Sequence, residues 1–520
     1  MSYGNRLIPA LVFASLLLSA CGSPQVDSTG PSPVGASDSP SPQASAESLD
    51  LYPECDTELQ QLLEKPKDGR GYVFTYDCAS DREFTTPALD FDPPVSNLEA
   101  CQLNETSPGR LQYNDNTVGF PRTSDPSRLS DGVHKIAVIP VQWPDLAGDD
   151  KIFNIAAEAK AKVTDWYRTY SRGKVIFDWQ IYDEWITLPN PSEEYSQSIA
   201  QQNTDQWGEA NTRVLSKFWN DALEASDPFV DFTGVEIVFF LLPTNQDVAA
   251  EFNLWPPGSG VFQTDEGPID RGLTPGSYHF RNGNKVWMFW IHEMLHYFKM
   301  PDLYWTDQNS VKRTANTMPG PIQDYDIMAN QGGVTKSLNG WLMWMAGWAA
   351  DAELYCLTPE TFKNTSFEIF DVGVNDDSLK SVILTLSDTT AVVVESRRKS
   401  QFDIQSPRRS REGAIVYHLD TNIGHGEGPM TLLAPAGRTL IDGLSGNLVD
   451  PTLDATLYEG NSIEIAGYRI EVNEARSTSD VISITKIEDW VPGSEPTYVC
   501  HTRENRALLS GPKTTCPIKY

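Results

Sequence analysis

Residues 287–302 read Trp-Met-Phe-Trp-Ile-His-Glu-Met-Leu-His-Tyr-Phe-Lys-Met-Pro-Asp, and this run decides the fold. It is apolar almost all round before His292, which predicts a helix over Asn284 to Met300 buried inside a domain. His292 and His296 stand four residues apart, so both imidazoles leave one helix face and can hold one ion. Glu293 lies between them, placed to take a proton from a water that the ion activates. Pro301 must end or sharply bend the helix. A site of this kind needs a third protein ligand, and no glutamate occurs between His296 and Glu353. The nearest acid is Asp302, which a chain turning at Pro301 can swing back to the ion.

The stretch His292-Glu293-Met294-Leu295-His296-Tyr297-Phe298-Lys299-Met300-Pro301-Asp302-Leu303-Tyr304 resembles the HExxHxxGxxD signature of immune inhibitor A-type metallopeptidases, relatives of the metzincins. The resemblance implies that His292, His296 and Asp302 bind Zn2+ and that Glu293 is the general base. Tyr325-Asp326-Ile327-Met328-Ala329 is similar to the methionine-containing turn beneath the metal in that family, with Met328 as a packing floor. Where the family has glycine, this chain has Lys299. Glycine reverses the chain in a left-handed conformation, and a lysine there loses roughly 1–2 kcal/mol. Tyr304 and Tyr325 are candidates for hydrogen bonding to an oxyanion as it forms. Each is equally a tyrosine packed near the site.

Working outward, runs at His134–Val141, Lys174–Trp179 and Val235–Leu242 read as buried strands. Helices over Lys151–Tyr170 and Asn211–Ala225 alternate with them, as in an α/β or α+β domain. Gly340–Ala350 reads as a buried helix. After Cys356 the texture changes to strand-like runs at Ser381–Leu386, Thr390–Val394, Gly413–Leu419 and Ile463–Val472. The expected architecture is a metzincin-like α/β catalytic domain over 131–355, then a β-rich, sandwich-like domain over 356–490 and a tail over 491–520. Segments around Gln142–Asp145, Tyr167–Lys174, Trp185–Pro189 and Val394–Arg398 extend the family resemblance across about 131–490.

At the N-terminus, Arg6 precedes an apolar stretch that ends in Leu18-Ser19-Ala20-Cys21-Gly22 and resembles a bacterial lipobox. Residues 1–20 are then a signal peptide, and Cys21 carries lipid on an exported, surface-anchored chain. Residues 21–50, rich in Ser and Pro, form a disordered tether. Residues 51–130 hold three cysteines and read as a structural module or a removable prosegment. Six cysteines remain after Cys21, which suggests disulfides of open connectivity, with Cys500–Cys516 the easiest to envisage. Disulfide formation is also the expected fate of the N-terminal thiols, ahead of capping the metal.

The charge narrows the partners. Forty basic side chains against 71 acidic give a formal charge of −31, which repels nucleic acid and anionic lipid. Acidic loops leave room for Ca2+, without a spacing that marks a site. The expectation is a monomeric, zinc-dependent endopeptidase acting on protein or peptide substrates, touching the membrane only through its lipid. Its rivals are a surface binding or adhesion module with a vestigial metal site, and a metal-dependent hydrolase of another substrate.

Overall fold

The computed structural model describes residues 96–106, 116–121, 130–196, 207–246, 261–276, 286–304, 325–331, 335–403, 412–426, 428–435 and 455–490, with a few isolated positions and short strands outside them. Residues 1–50, expected to hold a signal peptide and tether, together with Cys55, Cys78 and the thiols of Cys500 and Cys516, lie outside what it describes. The chain is mixed α/β, with parallel and antiparallel sheets.

Strand β1 (Gly132–Gln142) is followed by α1 (Lys151–Tyr170), β2 (Val175–Ile181), the short β3 (Ile186–Thr187), α2 (Trp207–Ser226) and β4 (Ile237–Leu241). A small hairpin of β5 (Phe262–Thr264) and β6 (Gly267–Ile269) leads to β7 (Gly272–Leu273) and α3 (Val286–Tyr297). Strands β2, β1, β4 and β7 form one parallel sheet in that order. Its two central strands, β1 and β4, are almost continuously apolar because both faces are covered there, whereas the edge strand β2 alternates buried and exposed residues. Ile136, Val138, Ile237 and Phe239 pack beneath α1 and α3, while Ala137, Ile139, Val238 and Phe240 meet Trp219 and Leu223 of α2. Alternation along each strand thus feeds two cores.

Helix α4 (Gly340–Met345) then precedes a mainly antiparallel part, in which the strand at 354–357 pairs parallel with that at 381–385. It is shorter than the run 340–350 predicts because Gly347, at φ 72°, turns the chain left-handed. Strands β8 (Leu354–Leu357), β9 (Thr365–Phe370), β10 (Ser381–Thr385), β11 (Thr390–Arg397), β12 (Gly413–Asp420) and β13 (Met430–Leu432) follow. The run expected as one strand over 463–472 is a hairpin, β14 (Ser462–Ile465) and β15 (Tyr468–Ala475), broken by Ala466 and Gly467, both at positive φ. Strand β16 (Ser479–Lys486) completes it.

Two sheets result, ordered β13-β12-β11-β10-β8 and β9-β16-β15-β14. Val382, Leu384, Val392 and Val394 face the four-stranded sheet, whereas Ile383, Val393, Ile415 and Tyr417 join the core of α1, α3 and α4. Thr86–Ala436 and Thr452–Tyr520 accordingly cluster as one compact unit. The stretches expected as separate domains on either side of residue 355 are joined by a continuous core. A second unit holds strand Tyr72–Tyr76, paired antiparallel with Arg438–Asp442, which pairs with Leu448–Val449. No helix among the described residues is long and apolar enough to cross a membrane.

The segment before β1 is built into the first unit. Cys101 is joined to Cys356 in β8 by a disulfide, and both are buried. Trp341 Nε1 donates to the Val118 carbonyl at 2.8 Å, and Phe120 packs on Trp341 and Trp344. Replacing Cys101 and Cys356 together by alanine should cost about 2–5 kcal/mol of stability, measured as a fall in denaturation midpoint under oxidising conditions.

Candidate metal centre

Helix α3 carries His292, Glu293 and His296, and its apolar remainder fixes it in the core. Its end is a left-handed cap. Met300 N–H donates to the Leu295 carbonyl at 2.9 Å and Lys299 N–H to the His296 carbonyl at 2.9 Å. Lys299 occupies the cap position that favours glycine, at φ 64°, and is buried. The turn is therefore built as a glycine would build it, with lysine accepting the strain. Helix α1 ends the same way at Arg172, φ 56°. Lys299→Gly should raise stability by roughly 0.5–1 kcal/mol in a denaturant titration and leave metal content unchanged, because relief of left-handed strain exceeds the added freedom of the unfolded chain.

Beyond the cap, Pro301 directs the chain so that Asp302 returns to the histidines. One nitrogen from each of His292 and His296 and a carboxylate oxygen of Asp302 all lie within 4.8 Å of one another, a group able to hold a metal ion. Asp302 Oδ1 is 3.2 Å from His292 Nε2 and 3.2 Å from His296 Nε2.

The hydrogen bonds behind the histidines settle which atoms face inward. His292 Nδ1 lies 2.9 Å from the Ile327 carbonyl, and His296 Nδ1 lies 2.9 Å from the Met300 carbonyl. A carbonyl only accepts, so each Nδ1 carries a proton, and each ring, when neutral, presents an Nε2 lone pair toward Asp302. Asp302 Oδ1, itself buried, makes no hydrogen bond of ordinary geometry. Two lone pairs and a carboxylate oxygen thus converge on one point, an arrangement that a cation makes favourable. The only substitute is a proton. Burial alone would lower the His296 pKa, yet the adjacent Asp302 carboxylate holds it up at about 9. Burial would raise Asp302, and the His296 charge outweighs it and holds that carboxyl well below its usual range. The donor set, two imidazoles and one carboxylate, fits a metal with an open coordination position.

Below the site runs the segment Tyr325–Ala329. Ile327 supplies the carbonyl for His292, and the carbonyl of Met328 accepts the Leu303 N–H at 3.0 Å. Consecutive peptides of one turn therefore hold the segments that carry the first and third ligands. Met328 is fully buried. Asp326, which the sequence did not single out, fixes the turn: Oδ1 accepts Met328 N–H at 2.7 Å, and Oδ2 accepts the backbone and side-chain N–H groups of Asn339 at 2.7 and 2.8 Å. Burial lifts its pKa to about 6 even against these donors. Asn339 caps α4 through Leu342 N–H, and the next peptide, Gly340 N–H, donates to Glu395 Oε1 at 2.7 Å. Glu395 is paired with the fully buried Arg397 at 2.9 Å. A side chain at Gly340 would meet Ser381 Oγ at 2.2 Å.

Glu293 is buried, 7% exposed, and its charge acts on His296. The Tyr304 ring stacks over His292 with centroids 6.2 Å apart. Tyr325 is buried with its hydroxyl 3.0 Å from Thr456 Oγ1, a contact that ties it to the core. His134 pairs with Glu236 at 3.0 Å, and His418 is buried, its pKa pushed down to about 4 by burial. His279 lies outside the described residues. His425 stands beside Asp302, with its Nε2 3.4 Å from Asp302 Oδ2. No local pattern marks it, since the turn that carries it reaches Asp302 only in the folded chain.

Compared with known protein families and with curated proteins, the chain matches none.

Proposed function

We propose that the chain is a zinc-dependent endopeptidase of the immune inhibitor A type, with a metzincin-like catalytic part backed by sandwiched sheets. We place it at the cell surface, exported and held by lipid on Cys21, acting as a monomer on extracellular proteins or peptides. One observation carries the reading: two imidazole lone pairs and a carboxylate oxygen converge beside a buried glutamate on the same helix.

His292, His296 and Asp302 would hold the zinc. When bound, zinc lowers the pKa of a water and polarises the scissile carbonyl. Glu293 takes the proton of the attacking water as the oxygen–carbon bond forms. It delivers that proton to the amine as the carbon–nitrogen bond breaks. Tyr304, against His292, is the tyrosine best placed to steady developing negative charge. The Ile327 and Met300 carbonyls keep both imidazoles in the ligating tautomer. The same donors would suit iron(II), but a glutamate between the histidines serves hydrolysis. The cap at Lys299 supports an active enzyme over a vestigial binding module, because it retains the turn that returns Asp302.

The test is metal analysis of the full-length chain beside its hydrolysis of a general protein substrate. One equivalent of zinc is expected, with cleavage stopped by a chelator and restored by added zinc. A chain that binds zinc yet cleaves no protein or peptide would point to the binding module, and one that binds no metal would refute the site.

A further inference from the structure

We propose that His425 is a positioning residue that orients the Asp302 carboxylate for metal binding, an inference that rests on the metal-centre reading above. His425 lies in the turn after β12, 123 residues along the chain from Asp302, and three contacts join the two places. The Asp302 N–H donates to His425 Nδ1 at 2.9 Å, and the Gly426 N–H donates to the Asp302 carbonyl at 2.9 Å. His425 Nε2 is 3.4 Å from Asp302 Oδ2. Because Nδ1 accepts, the neutral ring carries its proton on Nε2, directed at the carboxylate.

The two oxygens of Asp302 are thus divided. Oδ1 faces the ligand nitrogens of His292 and His296, and Oδ2 faces His425. Asp302 stands past the end of α3, where no helix restrains its rotation, so a donor on Oδ2 fixes which oxygen faces the metal. Among the described residues the ligand group comprises His292, His296 and Asp302 without His425, consistent with a support rather than a fourth ligand.

The supporting turn is itself held from the N-terminal segment. Thr421 Oγ1 donates to the Asn104 carbonyl at 2.6 Å, and Thr106 Oγ1 to Asn422 Oδ1 at 2.6 Å. Asn104 lies three residues from Cys101, so the disulfide that anchors this segment is two short links from the turn.

The experiment uses the full-length chain and its His425→Ala and His425→Gln variants. Zinc dissociation constants come from competition with a chromophoric chelator, ligand geometry from the spectrum of the cobalt(II)-loaded proteins, and folding from melting of the metal-free forms. Gln keeps an N–H near the position of Nε2, whereas Ala does not. His425→Ala should weaken zinc about 10–100-fold and alter the cobalt bands, as loss of an outer support does. His425→Gln should recover most of both, with the metal-free variants melting alike. Equal losses in Ala and Gln that follow a lower metal-free melting temperature would reduce His425 to a packing role and overturn the proposal. So would wild-type affinity and spectrum in Ala, with the metal centre left standing. A wild type that binds neither zinc nor cobalt would instead sink the metal-centre reading itself.

Discussion

Glu293→Gln should retain one equivalent of zinc and lose hydrolysis by a factor of about 10²–10⁴ in kcat, the span expected for losing a general base. The substitution is close to isosteric and sits on a buried helix whose cap is made of backbone hydrogen bonds. The ligands keep their carbonyl partners at 327 and 300, so the metal stays. An amide cannot hold the proton between its removal from water and its delivery to the amine. Steady-state cleavage of a peptide beside metal analysis decides the matter. Activity within about tenfold of wild type would mean that another group accepts the proton.

Asp302→Ala should lose the metal altogether. Two imidazoles remain, but the anionic ligand is gone, and the loss should exceed the 10–100-fold expected for an outer support. Saturating zinc raises wild-type stability by mass action, about 2.7 kcal/mol at a hundred times Kd, and Asp302→Ala should show no such gain. A second effect appears without metal. His296, raised from 6.5 to about 9 beside Asp302, contributes stability that is present below pH 6.5 and lost as pH rises through about 9. Asp302→Ala should remove this alkaline loss, so that stripped wild type and variant converge above it. Thermal melts of both proteins across pH, with and without zinc, read the two effects separately. A variant that still melts higher with zinc would show that the third ligand lies elsewhere.

The helix with its two histidines was legible because a four-residue spacing on an apolar run admits few other geometries. Asp302 was legible through the lack of a nearby glutamate and the break at Pro301. What the sequence hid falls into two kinds. Some of it is distant contact: His425 meets Asp302 across 123 residues, and Asp326 reaches Asn339 through turns that carry no periodicity. The rest is burial against type. Glu395 and Arg397 look like ordinary strand charges, yet both are fully enclosed and tie the five-stranded sheet to α4. The composition shift at Cys356 marked a change of secondary structure. It did not mark a change of core, because alternate residues of β10, β11 and β12 feed the helices on one side and a sheet on the other.

The bond between Cys101 and Cys356 also alters what maturation of this protein can look like. One cleavage upstream of residue 101 falls outside the loop that this bond closes, so the bond does not retain the leading peptide. One cleavage anywhere between the two cysteines yields fragments that still travel together until a reductant parts them. A processed form seen only on reducing gels is then a nicked chain with all its residues aboard, and one seen on both kinds of gel was cut outside the span that this bond closes.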